Sequence, residues 1–128
     1  FLNSSGLDLS ATQAAGVGSA REVATLVAYA AQYSSELFSG TTRTDLTLGP
    51  LNGAIKPLHN TNETLSDIPG LVMGKTGFTD LAGGNLAVVF EIEPGTRIVA
   101  VVMGSTYDGR FDDMRTIVEA VRSRGHAR

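Results

Sequence analysis

One short stretch of the sequence combines residue types that can carry out chemistry: Lys75, Thr76 and Gly77, in that order. Lysine is rare in this chain, which has only Lys56 and Lys75, and Lys75 stands in an otherwise apolar stretch. A cation, a hydroxyl and a residue without a side chain suit the binding of an extended peptide along an edge strand. The strand's backbone can bond such a peptide, and Gly77 lets it approach closely.

The same stretch must be weighed against a phosphate-binding loop. Residues 70–76 read G-x-x-x-G-K-T, one residue shorter than the G-x-x-x-x-G-K-T of that loop. A phosphate-binding loop also needs a strand before it and a helix after it. Pro69 and Gly70 precede the stretch, and Gly77, Gly83 and Gly84 would interrupt any following helix. Nucleotide binding is therefore disfavoured.

The flanks of the motif extend the pattern. Residues 74–86 read GKTGFTDLAGGNL and closely resemble the K-T-G-x-T-x-x-A-G-x-x-L run of serine-type D-alanyl-D-alanine carboxypeptidases, which are low-molecular-mass penicillin-binding proteins. K-T-G itself is shared by penicillin-binding proteins and serine β-lactamases. Further resemblances follow in the order that the family shows: N-S-S-G-L-D at 3–8, S-A-R-E-V-A at 19–24, N-T-N at 60–62, V-M-G at 102–104 and G-R at 109–110.

The resemblance implies a role for each residue of the motif. Lys75 would place a fixed positive charge in the cleft, and Thr76 would bond the terminal carboxylate of the substrate. Arg110 would help to hold that carboxylate, because a guanidinium can bind it through two parallel bonds. The backbone N–H of Phe78, where some members carry histidine, would be one of two oxyanion-hole donors. The predicted site is thus Lys75 and Phe78 for catalysis, and Thr76, Gly77, Thr79 and Arg110 for substrate binding.

Two other motifs of the family do not occur in this sequence. No serine is followed by lysine three positions on, and none is followed by asparagine two positions on. We therefore expect the nucleophilic serine, its lysine base and the S-x-N motif to lie upstream of Phe1. Residues 1–128 would then be the C-terminal part of the catalytic domain and inactive alone, because without nucleophile and base only residual binding effects remain.

The resemblance also implies the reaction of the intact enzyme. Its serine would attack the penultimate carbonyl of a peptidoglycan stem peptide ending in D-Ala-D-Ala, release D-alanine and pass the acyl group to water. β-Lactams would acylate the same serine, and no metal or organic cofactor is implied. We expect the enzyme outside the cytoplasm of a bacterium, in the periplasm or on the outer face of the cytoplasmic membrane.

Two alternatives share the same motif. A non-catalytic homologue could bind cell-wall peptides without the nucleophile, and an upstream S-x-x-K would argue against it. A serine β-lactamase also carries K-T-G. The A-G-x-x-L flank and the V-M-G and G-R ending favour the carboxypeptidase.

Composition and charge bound the other possibilities. The 128 residues suffice for one domain with a core. A net charge of −3 without a basic stripe gives no nucleic-acid footprint, and the absence of cysteine excludes disulfides. The longest strongly apolar run, 98–103, is too short to span a membrane. His59 and His126 are the only histidines and are predicted to be solvated.

Hydrophobic periodicity predicts which elements carry the motif. The fold should be of the α/β (α+β) class, penicillin-binding protein or β-lactamase-like, with an antiparallel sheet flanked by helices. Residues 1–18 and 58–62 are predicted as loops. The predicted elements are a helix at 20–32, strands at 42–48, 71–79, 84–93 and 96–104, the last two as a hairpin in the middle of the sheet, and a helix that starts near Asp112 and ends at Gly125.

Overall fold

The computed structural model describes residues 2–49, 53 and 55–125. His126, which the sequence predicts to be solvated, lies outside these residues. None of the helices within them is long and apolar enough to cross a membrane. Among the described residues the elements are α1 (Ala20–Tyr33), a 3-10 helix (Ser35–Thr42), β1 (Asp45–Leu48), β2 (Lys56–His59), β3 (Leu71–Thr79), β4 (Gly83–Glu93), β5 (Thr96–Ser105) and α2 (Gly109–Gly125).

Helix α1 begins where the sequence predicts, at a capping box formed by Ser19 and Glu22. The backbone N–H of Glu22 donates to Ser19 Oγ at 3.3 Å, and the N–H of Ser19 donates to the Glu22 carboxylate at 2.7 Å. The bond from the Ser19 N–H, and after it a bond from the Ser19 hydroxyl to the same carboxylate at 2.9 Å, hold the pKa of the Glu22 carboxyl below its ordinary value. The box satisfies N–H groups that have no partner within the helix, so it fixes the point where α1 starts.

Strands β3, β4 and β5 form an antiparallel sheet in that order, with β4 in the centre. The predicted hairpin of β4 and β5 is confirmed, and its turn contains Gly95 with a φ of +82°. The prediction that both strands lie in the middle of the sheet is wrong for β5, which pairs only with β4 in the described part of the chain. Apolar residues on both faces of a strand indicate that other layers cover both faces of the sheet. They do not indicate whether the strand has a neighbour on each side within the sheet.

The sheet is covered on both faces, and β4 contributes to both cores. On one face, side chains of β4 pack against α2, and on the other face they pack against α1. The core on the α2 face is centred on Leu86, Val88, Phe90, Phe111, Met114 and Val118, and the smaller core on the α1 face on Ala31, Met73 and Val89. This arrangement confirms the predicted antiparallel sheet flanked by helices.

The segment between α1 and β3 departs from the prediction. Residues 35–42 form a 3-10 helix, so the first strand begins at Asp45 and not at residue 42. The hydroxyls of Ser39, Thr41 and Thr42 each donate to the carbonyl three residues earlier, which favours the tighter turn over a strand. Leu58 and His59, predicted as loop, belong to β2, because pairing with β1 supplies bonds that no local pattern reveals.

Helix α2 is tied to the loop that precedes β3. Arg115 Nε donates to Asp67 at 2.7 Å, and Arg115 Nη1 donates to Asp112 at 2.7 Å. The hydrogen bond from Arg115, and a smaller one from Ser66, hold the pKa of the Asp67 carboxyl below its ordinary value. Asp112 lies in the first turn of α2, as predicted. These contacts help to set the position of β3 over the helix.

Candidate active site

The Lys-Thr-Gly motif lies in the second half of an edge strand. Among the described residues, β3 pairs with β4 on one side and with no strand on the other. An antiparallel ladder uses the N–H and C=O of alternate residues, so the outer edge of β3 offers backbone groups to another extended chain. Because Gly74 and Lys75 lie inside β3 and a strand follows it, the phosphate-binding loop interpretation is wrong.

Lys75 and Thr76 project from opposite faces of the sheet, since successive side chains alternate along a strand. Lys75 is paired with Ala87 and shares the α1 face with Met73. Thr76 is paired with Leu86, whose side chain lies in the core under α2. The Lys75 ammonium is exposed and bonds the backbone carbonyl of Thr76. The motif therefore presents a cation and a hydroxyl on either side of one strand edge.

Arg110 comes to the site from the start of α2 and is buried, with only 3% of its surface exposed. Its Nη1 donates to the carbonyl of Gly77 at 2.8 Å. The guanidinium carbon lies 4.5 Å from the ring centroid of Tyr107 and 4.7 Å from that of Phe111. Its Nε is buried and has no partner among the described residues. Arg110 is therefore a buried residue of the site and not an ordinary surface arginine.

The remaining motif residues shape the strand edge. Phe78 is 43% exposed, and its ring meets Tyr107 edge-on at a centroid distance of 5.0 Å. The hydroxyl of Thr79 accepts a bond from the N–H of Ala82 at 3.1 Å and so holds the turn into β4. A methyl group added to Gly77 would meet only the Cβ of Asn85, at 3.8 Å. Gly77 thus leaves the strand open on its face without being required by packing.

One cavity of about 410 Å³ brings all the predicted site residues together. It is lined by Lys75, Thr76, Gly77, Phe78, Thr79 and Arg110, and also by Ser5, Gly6, Leu7, Thr61, Ala82, Asn85 and Tyr107. The sequence patterns at 3–8 and 60–62 pointed to the first loop and to Thr61 without giving them a role. Tyr107 was missed, and its closeness to Arg110 in sequence was the only available signal.

The charged side chains that line the described part of this cavity are all positive. Lys75 and Arg110 are its ionisable cations, and no aspartate or glutamate occurs among the described residues that line it. The hydrogen-bonded side chains of Thr61 and Thr76 belong to the same lining. A cleft lined by one sign of charge raises the local concentration of the opposite charge, so this cavity suits an anion such as a carboxylate.

Solved structures of other proteins have a similar fold. The chain is similar to penicillin-binding protein D2 from Listeria monocytogenes in its cefotaxime-bound form, with 31% identity and a TM-score of 0.75 over 93% of this chain and 46% of that one. It is also similar to a D-alanyl-D-alanine carboxypeptidase from Mycobacterium tuberculosis, with 25% identity and a TM-score of 0.63 over 78% of this chain and 36% of that one. The chain thus spans less than half the length of either protein.

Sequence comparison points the same way. No curated protein sequence matches the chain significantly. A family model described as D-alanyl-D-alanine carboxypeptidase matches residues 1–107, which include α1 and the whole sheet. The chain belongs to the D-alanyl-D-alanine carboxypeptidase family.

Proposed function

We propose that this chain provides the substrate strand and the carboxylate site of a serine-type D-Ala-D-Ala carboxypeptidase. The observation that carries the proposal is the meeting of Lys75, Thr76 and Arg110 at one strand edge. Among the described residues this edge pairs with no strand, and no aspartate or glutamate lines the cavity. A peptide ending in D-Ala-D-Ala has both features that this edge can bind: an extended backbone and a terminal carboxylate.

Recognition of the carboxylate falls to Thr76 and Arg110. The Thr76 hydroxyl donates to one carboxylate oxygen, and the guanidinium of Arg110 supplies positive charge from below the strand. The bond from Arg110 to Gly77 and its stacking on Tyr107 support this role, because they hold the charge in place before the substrate arrives. A preorganised charge in a buried site stabilises an anion more than a mobile one in water does.

The chemical step needs a serine that this sequence does not supply in the family's motif. A serine of the S-x-x-K motif, from the rest of the full-length protein, attacks the penultimate carbonyl and expels D-alanine. The backbone N–H of Phe78 donates to the developing oxyanion, together with the N–H of that serine. Lys75 supplies positive charge and bonds a serine of the S-x-N motif. Water then hydrolyses the acyl-enzyme.

β-Lactams acylate the same serine in this proposal. They carry a carboxylate next to a reactive amide, as the end of the peptide does. Thr76 therefore binds the carboxylate, and the N–H of Phe78 binds the oxyanion, in both kinds of ligand. The support is that penicillin-binding protein D2 has been crystallised with cefotaxime and with ampicillin. The substrate is a peptidoglycan stem peptide, which places the full-length enzyme outside the cytoplasm of a bacterium.

The test uses the full-length protein, incubated with a fluorescent penicillin and, separately, with a peptide ending in D-Ala-D-Ala. We expect a stable covalent label on one serine and release of D-alanine from the peptide. Rapid turnover of the β-lactam without peptide cleavage would favour a serine β-lactamase instead. Peptide binding without either reaction would leave a non-catalytic binding protein and would overturn the proposed activity.

A further inference from the structure

Thr61 makes a direct hydroxyl contact with the predicted carboxylate site. Its Oγ1 lies 2.7 Å from Oγ1 of Thr76, and either hydroxyl can be the donor. We infer that Thr61 is a positioning residue, which holds the Thr76 hydroxyl so that its proton points at the substrate carboxylate. The inference rests on the proposed function and deepens it, because it names the residue that orients the Thr76 hydroxyl, the main uncharged hydrogen-bond donor to the carboxylate.

The loop that carries Thr61 is fixed on its N-terminal side by Asn60. The Asn60 side-chain N–H groups donate to the carbonyls of Thr41 and Arg43, each at 2.9 Å. The Asn60 side-chain oxygen, Oδ1, accepts a bond from the backbone N–H of Asn62, also at 2.9 Å. One side chain thus ties the loop to the end of the 3-10 helix and closes a turn around Thr61.

On the C-terminal side the loop is fixed by Asn62, which is buried with 3% of its surface exposed. Its side-chain oxygen accepts bonds from the backbone N–H of Thr64 at 3.1 Å and from the Thr64 hydroxyl at 2.7 Å. Asn62 lies so close to β3 that a methyl group added to Gly74 would be 2.9 Å from Asn62 Nδ2. Because Asn60 and Asn62 both point inward, Thr61 between them is presented to the cleft.

Thr61 also occupies a particular place in the cleft. It lines the cavity of about 410 Å³ that contains Arg110, and it lines a second cavity of about 390 Å³ between the 3-10 helix, the β1–β2 hairpin and β3. Lys75 and Thr76 line both cavities as well. The pair of hydroxyls therefore stands at the junction of the two cavities, next to the strand edge.

The direction of the bond follows from the number of protons available. A hydroxyl has one proton to donate and two lone pairs to accept with. When the Thr76 hydroxyl donates its hydrogen bond to a carboxylate, only the proton of Thr61 is left to form the bond between the two hydroxyls. The hydrogen bonds then run from Thr61 to Thr76 and from Thr76 to the carboxylate. Bonds in such a chain polarise one another in the same direction. Thr61 thereby strengthens carboxylate binding without touching the substrate.

The experiment compares Thr61→Val, Thr61→Ser and Thr76→Val, alone and as the Thr61→Val/Thr76→Val pair, in the full-length protein. The measured quantity is the second-order rate of acylation by a fluorescent penicillin. Thr61→Val should lower this rate roughly fivefold to tenfold, as for loss of one neutral hydrogen bond. Thr61→Ser should restore it, because serine keeps the hydroxyl. Thr47→Val, at an exposed position of β1, is the matched control and should behave as wild type.

Two further readouts separate positioning from a general structural effect. In the Thr76→Val background, Thr61→Val should cause no additional loss, since it acts only through the missing hydroxyl. With the peptide substrate, hydrolysis of the preformed acyl-enzyme should be unchanged in Thr61→Val, because the carboxylate has left with D-alanine. Thermal unfolding of each variant checks that the fold is intact.

The outcomes that overturn the inference are distinct from those that overturn the proposed function. Labelling of the wild type that Thr61→Val leaves unchanged would overturn the inference alone. The same holds for losses that add up in the double variant, or for a Thr61→Ser variant as slow as Thr61→Val. A wild-type protein that penicillin does not label would overturn the proposed function and the inference with it.

Discussion

Arg110 Nη1 donates a hydrogen bond to the carbonyl oxygen of Gly77 at 2.8 Å and so joins the first turn of α2 to the motif strand β3. The two residues are far apart in sequence, and the guanidinium is held between Tyr107 and Phe111. This bond holds a cation next to the strand along which the proposed substrate lies. The side chain of Arg110 therefore links the positive charge of the site to the geometry of strand β3.

Replacement of Arg110 by methionine should affect both stability and reaction. Methionine keeps the apolar stem but removes the charged donor to the part-buried Gly77 carbonyl, and the loss of a hydrogen bond to a charged group costs about 1.5–3 kcal/mol of unfolding free energy. Acylation by penicillin should slow as well, because the cation near the carboxylate is lost. Urea unfolding and penicillin labelling of the full-length protein measure the two effects. Arg21→Met, at an exposed position of α1, should change neither.

Two glycines of the sheet should differ in how alanine affects stability. A Cβ at Gly84 would lie 2.0 Å from the carbonyl oxygen of Thr106, so Gly84→Ala forces the backbone apart and should cost about 3 kcal/mol of unfolding free energy. A Cβ at Gly77 would meet only Asn85 at 3.8 Å, so Gly77→Ala should fold with wild-type stability. It should still slow penicillin acylation, because the methyl group narrows the strand edge. Normal acylation by Gly77→Ala would contradict the proposed approach of the substrate.

The ion pair of Asp67 and Arg115 predicts a pH dependence of stability. Because the pKa of Asp67 is lowered in the folded chain, its stabilisation is fully present above the ordinary value of 3.8 and is lost as the pH falls through the lowered value. Asp67→Asn should therefore reduce the unfolding free energy at pH 7 by no more than about 1 kcal/mol, since the pair is partly exposed. The difference from wild type should vanish in acid.

Urea unfolding at a series of pH values measures this difference. Asp80→Asn, at an exposed turn position, serves as the control and should change stability little at any pH. An Asp67→Asn deficit that stays constant down to pH 2 would show that the carboxylate charge is not its cause.

The capping box of α1 should contribute measurably to stability. Ser19→Ala removes the acceptor for the N–H of Glu22 and should lower the free energy of unfolding by about 1 kcal/mol. Thr25→Ala is a matched control in the same helix, because its hydroxyl only bonds back to the carbonyl of Arg21. Chemical denaturation of both variants tests the prediction, which a Ser19→Ala protein as stable as Thr25→Ala would contradict.

Much of the fold was predictable because its signals are local. Ser19 and Glu22 have the S-x-x-E spacing of a capping box where α1 starts, and Pro94 and Gly95 are turn residues between β4 and β5. The strand that carries Lys75 has its predicted bounds, Leu71–Thr79. The 3-10 helix was not predicted, because bonds from side-chain hydroxyls to the backbone compete there with a strand. Strand β2 was not predicted either, because its bonds depend on pairing with β1. Hydrophobic periodicity shows neither effect.

By itself the sequence determined the chemical character of the site: a lysine, a threonine and a glycine in succession on one strand, within a pattern that resembles one family. Only the tertiary structure decided what surrounds them. The packing of α2 on the sheet sets where the buried Arg110 meets Gly77, and the bonds of two asparagines set where Thr61 meets Thr76. Contacts between residues 15 to 33 positions apart depend on the angles at which elements pack, and no local pattern of residues fixes those angles.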